Sequence, residues 1–143
     1  MTSIMKRITF ILLFQIPLFT FAQQIRLKDQ YGEKLYFIEG SNLRAKDQYG
    51  EKLYCLDKNT IRRKDEYGEK LMCIDKLTVR FKDEYGAKLY YFDKNTIRSK
   101  DEYGDKLYFV DGNTIKRKDE YGDKLFWFES FPEKWVLACI INL

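Results

Sequence analysis

Polar and apolar positions along most of the chain follow one pattern with a period of 18 residues. Each copy begins with a basic residue, continues through Lys-Asp-(Glu/Gln)-Tyr-Gly, and then gives Lys-Leu and an apolar run that ends in an acid. The Lys-Asp, Tyr-Gly and Lys-Leu pairs are the same in all six copies. Such repetition predicts an architecture in which each unit completes the core of its neighbour. The copies span residues 26–43, 44–61, 62–79, 80–97, 98–115 and 116–133.

Each copy contains two turn signals and two short strands. In Asp-(Glu/Gln)-Tyr-Gly, aspartate suits the first position of a type I turn, and glycine suits the fourth, where a positive φ is common. The second signal is a tight hairpin loop such as Lys94-Asn95, in which asparagine suits the left-handed region. Turns about nine residues apart leave strands of about five or six residues, so no helix is expected after residue 22.

Charge placement favours one topology for these strands. In a β-solenoid, equivalent Lys-Asp pairs would stack about 4.8 Å apart as like-charge ladders. An antiparallel meander puts another strand between them. The consecutive apolar residues of the second strand, Leu89 to Phe92, also indicate that both of its faces are largely covered. We therefore expect an all-β fold of six hairpins in an antiparallel meander, either closed like a flower or barrel, or coiled.

The chain departs from the repeat at its C-terminal end. Ser130-Phe131-Pro132-Glu133 replaces the usual turn, and the tail 134–143 is almost wholly apolar. End repeats are usually atypical, so we expect the tail to be a buried final strand that plugs or caps the array. Contact of the tail with a membrane or a partner is the less favoured alternative.

The first 22 residues have the pattern of a secretory signal peptide. Lys6 and Arg7 precede an apolar run, and the small residues Thr20 and Ala22 stand before the expected cleavage site. We therefore expect export to the periplasm, the cell surface or the medium, and a single domain over residues 23–143. An amphipathic anchor or a first helix of the fold is the alternative. Removing Lys6 and Arg7 lowers the net charge from +4 to +2, which gives no support for a nucleic-acid partner.

The remaining polar residues do not predict a catalytic, metal or cofactor site. There is no histidine, which removes Ser-His and Cys-His nucleophile systems. The repeated aspartates suit turns better than a calcium array, since Lys precedes each of them and no EF-hand loop is present. The acids that end each second strand are copies of one environment, whereas a glycosidase needs two unlike carboxyl groups. We therefore expect no enzymatic activity and no cofactor.

Three cysteines follow the predicted signal peptide. Cys55 and Cys73 occupy the same position in adjacent copies. In a meander they would lie about 9.6 Å apart, beyond the roughly 7 Å between Cα atoms that a disulfide tolerates. We expect both of them and Cys139 to be free, buried thiols; a Cys55–Cys73 disulfide would instead indicate tighter stacking.

The turn tyrosines are the best candidates for contact with a ligand. Aromatic residues make up 17% of the chain, and core packing accounts for those in the strands. The tyrosines of the Asp-(Glu/Gln)-Tyr-Gly turns either face a ligand, for example by stacking on sugar rings, or cover a neighbouring hairpin. They are Tyr31, Tyr49, Tyr67, Tyr85, Tyr103 and Tyr121.

Two families share parts of this pattern. Over residues 25–143, the segments Lys118-Asp-Glu-Tyr-Gly122 and Val110-Asp-Gly-Asn-Thr-Ile115 and the basic-then-apolar tail resemble the four-fold beta flower proteins. That resemblance implies short hairpins arranged around an axis in an exported protein, with no assigned activity. The segment 86–92 is more weakly similar to choline-binding or cell-wall-binding repeats, although Leu89 stands at their ligand-stacking tryptophan. No binding residue is carried over from either family.

These patterns together predict an exported, non-enzymatic β-repeat protein of the cell envelope. Its role would be that of a structural or interaction module, with a protein or an envelope glycan as partner. The alternative is a carbohydrate- or peptidoglycan-binding module that uses the turn tyrosines.

Overall fold

A computed structural model describes residues 22–142, which form twelve β-strands and one α-helix. The predicted signal peptide therefore lies outside the described residues, except for Ala22, which begins the first strand. From β2 onward, long strands of five or six residues alternate with short strands of four residues. The strands are β1 (Ala22–Leu27), β2 (Lys34–Glu39), β3 (Asn42–Ala45), β4 (Lys52–Asp57), β5 (Thr60–Arg63), β6 (Lys70–Asp75), β7 (Thr78–Phe81), β8 (Lys88–Asp93), β9 (Thr96–Ser99), β10 (Lys106–Asp111), β11 (Thr114–Arg117) and β12 (Lys124–Phe128), and they are followed by α1 (Lys134–Ile141).

Consecutive strands pair antiparallel, and the sheet closes into a barrel through β1 and β12. The closing register pairs Arg26 with Trp127, just as Arg44 pairs with Phe37 inside the β2–β3 hairpin. The first and last strands of the described chain thus pair like the two strands of a hairpin and complete the sixth unit of the ring, although no turn connects them. The predicted all-β meander of 18-residue hairpin repeats is confirmed, in its closed form.

Each long turn is followed by a β-bulge at the Leu of Lys-Leu. In the β3–β4 pair, Leu43 lies opposite Tyr54 and Arg44 lies opposite Lys52, so Leu53 is an extra residue on β4. The same shift recurs in the other five pairs that flank long turns. A bulge turns two successive side chains towards one face. Leu71 and Leu89, for example, pack against the core, and so do the residues that follow them, Met72 and Tyr90.

The core fills the barrel from its wall and from α1. The inward residues of the short strands, such as Leu43, Ile61 and Ile115, are fully buried. Six successive residues of α1, from Trp135 to Ile140, are buried as well. A helix that is apolar on every side is typical of a fully enclosed position, so α1 plugs the barrel.

The expectation that the tail 134–143 is a strand is wrong for its described residues, 134–142, although burial is confirmed for residues 135–140. Every strand of the barrel already has a partner on both edges, so the tail has no edge to join. Buried backbone N–H and C=O groups must still be paired. Inside the barrel, a helix satisfies them within its own backbone.

The short turns also differ from the prediction in one detail. The positive φ falls on the first of the two loop residues: Lys58, Lys76 and Lys94 have φ between 54° and 58°, and Gly40 and Gly112 have similar values. The residue that follows, which is asparagine in three of these turns, is not in the left-handed region. A positive φ at the first position alone is the pattern of a type II′ hairpin turn.

Candidate functional site

The six long turns lie together at one end of the barrel, because each connects a short strand to the next long strand. Every turn carries one of the candidate tyrosines. In the turn of residues 64–69, the Asp65 carboxylate accepts a hydrogen bond from the Tyr67 backbone N–H at 2.9 Å, and the Gly68 N–H donates to the Asp65 carbonyl at 3.0 Å. The aspartates are therefore turn-forming residues, as predicted.

The backbone strain of each turn lies at the lysine that precedes the aspartate. Lys64 has φ of 69°, and the Asp65 N–H donates to the Arg63 carbonyl at 2.8 Å across it. The equivalent lysines of all six turns have φ between 63° and 69°. The predicted positive φ at the turn glycine is wrong. Glycine is required there for space, since a Cβ on Gly68 would lie 1.7 Å from the Arg63 carbonyl oxygen.

A partly buried arginine ties five of the six turns to the barrel wall, and Lys116 takes its place in the sixth. Arg62 Nη1 donates to the Gly68 carbonyl at 3.0 Å, and Arg62 Nε donates to the Asp57 carboxylate at 3.1 Å. Arg98 makes the same two contacts, with the Gly104 carbonyl and Asp93, at 3.1 Å each. Sequence reasoning missed this bridge. The signal for it is an acid five residues before the basic first residue of every copy from Arg44 onward, across the short hairpin turn.

The tyrosine side chains are exposed to solvent although the turn holds their backbone. Their exposed fractions lie between 86% and 88%, so none of them covers a neighbouring hairpin. A hydrogen bond to the adjacent Glu66 carboxylate raises the pKa of Tyr67, and the equivalent glutamates do the same for Tyr85, Tyr103 and Tyr121. These hydroxyls therefore stay protonated at neutral pH and can donate hydrogen bonds. We use the term tyrosine ring for Tyr31, Tyr49, Tyr67, Tyr85, Tyr103 and Tyr121.

Polar grooves on the outer wall adjoin the tyrosine ring. The groove between β7, β8 and the next turn is lined by Thr78, Lys88, Tyr91, Asp101 and Tyr103, and has a volume of about 270 Å³. Three other repeats carry equivalent grooves of about 490, 270 and 240 Å³. Each combines a lysine, an aspartate and a side chain from the outward position of a long strand. The arrangement offers charged and hydroxyl groups beside exposed aromatic rings.

The cysteines are free thiols in this structure. Cys55 lies on the outer wall and lines one of the grooves, Cys73 lies two strands away at the equivalent position, and Cys139 is enclosed in α1. Burial raises the pKa of all three thiols. Cys73 was predicted to be buried, but it is only partly buried, because side chains on the outer wall of the barrel remain partly open to solvent.

The described part of the chain has neither a clustered metal-ligand set nor a membrane-spanning helix. Within residues 22–142, no three His, Cys, Asp or Glu side chains are grouped so that they could hold a metal ion. No helix in that range has the length and apolar character needed to cross a membrane.

No protein-family model, curated protein or solved structure matches the chain. The resemblance to the four-fold beta flower proteins and to choline-binding repeats therefore stays a prediction.

Proposed function

We propose that the protein is a non-enzymatic binding module that contacts an envelope glycan through the tyrosine ring. The observation that carries the proposal is the exposure of all six turn tyrosines, at 86% to 88%, on one end of a closed barrel. Burying apolar side chains would stabilise the fold, so an aromatic ring held out in water in every repeat favours a role in contact.

The polar surroundings of the tyrosine ring support a sugar ligand. Aromatic rings pack against the apolar faces of sugar rings, while hydroxyl groups need hydrogen-bond partners. Beside Tyr103, the groove supplies Thr78, Lys88 and Asp101 within one lining. Beside Tyr67, the equivalent groove supplies Asn42, Lys52 and Asp65. A purely structural module would be expected to bury its aromatic residues instead.

The six-fold repetition supports a partner that is itself repetitive. Once one tyrosine has bound, the others act at a high effective concentration, and weak single contacts then add up to firm retention. A polymeric glycan such as peptidoglycan offers many equivalent sugar units. Export to the envelope is part of the proposal and is supported by the predicted signal peptide, residues 1–22.

The proposal is tested by retention of the purified protein on insoluble peptidoglycan. We expect wild type to sediment with the glycan, the double variant Tyr67→Ala/Tyr85→Ala to be retained several-fold less, and a variant with all six turn tyrosines changed to alanine not to be retained. The graded loss follows from multivalency, since each removed contact lowers the overall affinity.

A matched control is Phe81→Ser, which removes an exposed aromatic residue that stands outside the tyrosine ring. Phe81 is 57% exposed, and Ser99 occupies its position two strands further on. Its retention should equal that of wild type. Absence of wild-type retention, or full retention of the six-alanine variant, would overturn the proposal.

A further inference from the structure

The end of the barrel opposite the tyrosine ring breaks the six-fold repetition. Near this end, each long strand has an apolar residue that faces the barrel interior. That residue is buried in four repeats, as Ile38, Phe92, Val110 and Phe128. In the other two repeats Leu56 and Ile74 are only partly buried. The segment 129–133, which links β12 to α1, lies on this end of the barrel.

A cavity of about 440 Å³ lies where Leu56 and Ile74 remain uncovered. Its apolar wall is completed by Phe131, Pro132 and Trp135 from the link and the first turn of α1. Phe131 is 64% exposed, although its neighbour Pro132 and Trp135 in the first turn of α1 are buried. The cavity has the volume of a small-molecule site, and apolar walls with a few polar groups are typical of one.

The polar residues that line this cavity are Lys58, Asn59, Glu133 and Lys134. Lys58 and Lys134 line it, and neither takes part in any ion pair among residues 22–142. Neither nearby acid pairs with these lysines: the Asp57 carboxylate accepts from Arg62 at 3.1 Å, and the carboxylate of Glu133, which also lines the cavity, accepts from Trp135 Nε1 at 3.1 Å. Two lysines thus stand beside an apolar cavity without a carboxylate partner.

We propose that this cavity binds a medium-chain aliphatic carboxylate. The hydrocarbon chain lies against Leu56, Ile74 and Trp135, where its burial supplies most of the affinity. The carboxylate lies at the mouth, where Lys58 and Lys134 complement its charge. This site is independent of the glycan-binding proposal, because it lies at the other end of the barrel and occurs once instead of in every repeat.

The test is a titration with decanoate below its micelle concentration, followed by the fluorescence of Trp135. The background variant Trp127→Phe leaves Trp135 as the single tryptophan of the chain, and Phe is the residue that Phe37 and Phe109 already provide at that position. We expect a saturable change in Trp135 emission. Lys58→Met and Lys134→Met should each weaken decanoate binding about fivefold, the size expected for one solvent-exposed charge pair.

Two controls isolate the charge recognition. Lys94→Met changes the equivalent turn lysine of another repeat, which does not line the cavity, and should leave decanoate affinity unchanged. Decyltrimethylammonium has the same chain with the opposite charge and should bind more weakly than decanoate. The proposal is overturned by a non-saturable signal, by equal effects of Lys58→Met and Lys94→Met, or by tighter binding of the cationic probe.

Discussion

The glycine of each long turn has no room for a side chain. A Cβ on Gly104 would lie 1.5 Å from the Ser99 carbonyl oxygen and 2.6 Å from its carbonyl carbon. These are backbone atoms of the turn itself, so they cannot move aside as a flexible side chain would. The invariance of glycine within the chain therefore reflects close packing of the turn on itself.

We predict that Gly104→Ala lowers the free energy of unfolding by about 3 kcal/mol or more, because the turn must open to admit the methyl group. Gly112→Lys is the matched control, since Gly112 has φ of 57° and open space around it. That change should cost about 1 kcal/mol, the price of a side chain in the left-handed region. Urea unfolding measures both, and equal losses would contradict the packing argument.

The arginine that bridges five of the six turns to the wall gives a second residue-scale prediction. Arg62→Met should cost about 1–2 kcal/mol, because it leaves the Gly68 carbonyl and the Asp57 carboxylate without their donor. The adjacent Arg63→Met should change stability by less than about 0.5 kcal/mol, since that side chain is 65% exposed and reaches Glu69 only at 3.7 Å. Thermal unfolding midpoints of the two variants measure this difference. Equal midpoints would contradict a structural role for the Arg62 bridge.

Among the elements, α1 was the hardest to predict. A short run of apolar residues fits a buried strand or a buried helix equally well, because both lack a polar face. What decides between them is the lumen of the closed barrel, which leaves the tail no strand partner. The strands were predictable because alternating turn signals fixed their ends and charge placement favoured antiparallel pairing.

Cys139 reports the enclosure of α1 through the pH dependence of stability. Burial raises its pKa above the ordinary value of 9.0, so the folded protein keeps the thiol proton where the unfolded chain loses it. Its contribution to stability is therefore complete below pH 9 and falls as the pH rises. Wild type should lose about 1 kcal/mol more than Cys139→Ala between pH 9 and pH 10.

Urea unfolding of the two proteins at each pH measures this difference. Tyr36 and Tyr90, whose pKa values burial also raises, are present in both proteins, so their titration cancels. Burial, and after it the charge of Cys139, raises the pKa of Tyr54, so Tyr54 adds to the same pH-dependent difference. A difference between wild type and variant that does not change with pH would mean that Cys139 is open to water.

For the whole molecule, the repeat made the hairpins and the candidate tyrosines predictable, whereas their arrangement in space was not. Whether the array closes depends on the register between β1 and β12, which are distant in the sequence. The placement of Tyr67 and its equivalents around one end of a barrel also depends on that closure. The apolar cavity was out of reach because it lies where Phe131 and Pro132 depart from the repeat.

Closure of the barrel is the central claim, because it gathers the tyrosines into a ring and encloses α1. It is tested most directly by cross-linking Arg26→Cys to Trp127→Cys in a chain whose own three cysteines are replaced. These residues are direct partners in the β1–β12 pair, where antiparallel Cα atoms lie about 4.5–5.5 Å apart, within disulfide range.

The account predicts that mild oxidation joins this pair within one chain, seen as a faster-migrating band that reduction reverses. The control pair Arg26→Cys and Phe109→Cys should stay reduced, because β10 lies two strands beyond β12. Failure of the Arg26–Trp127 pair to join, or equal joining of the control pair, would contradict a closed barrel.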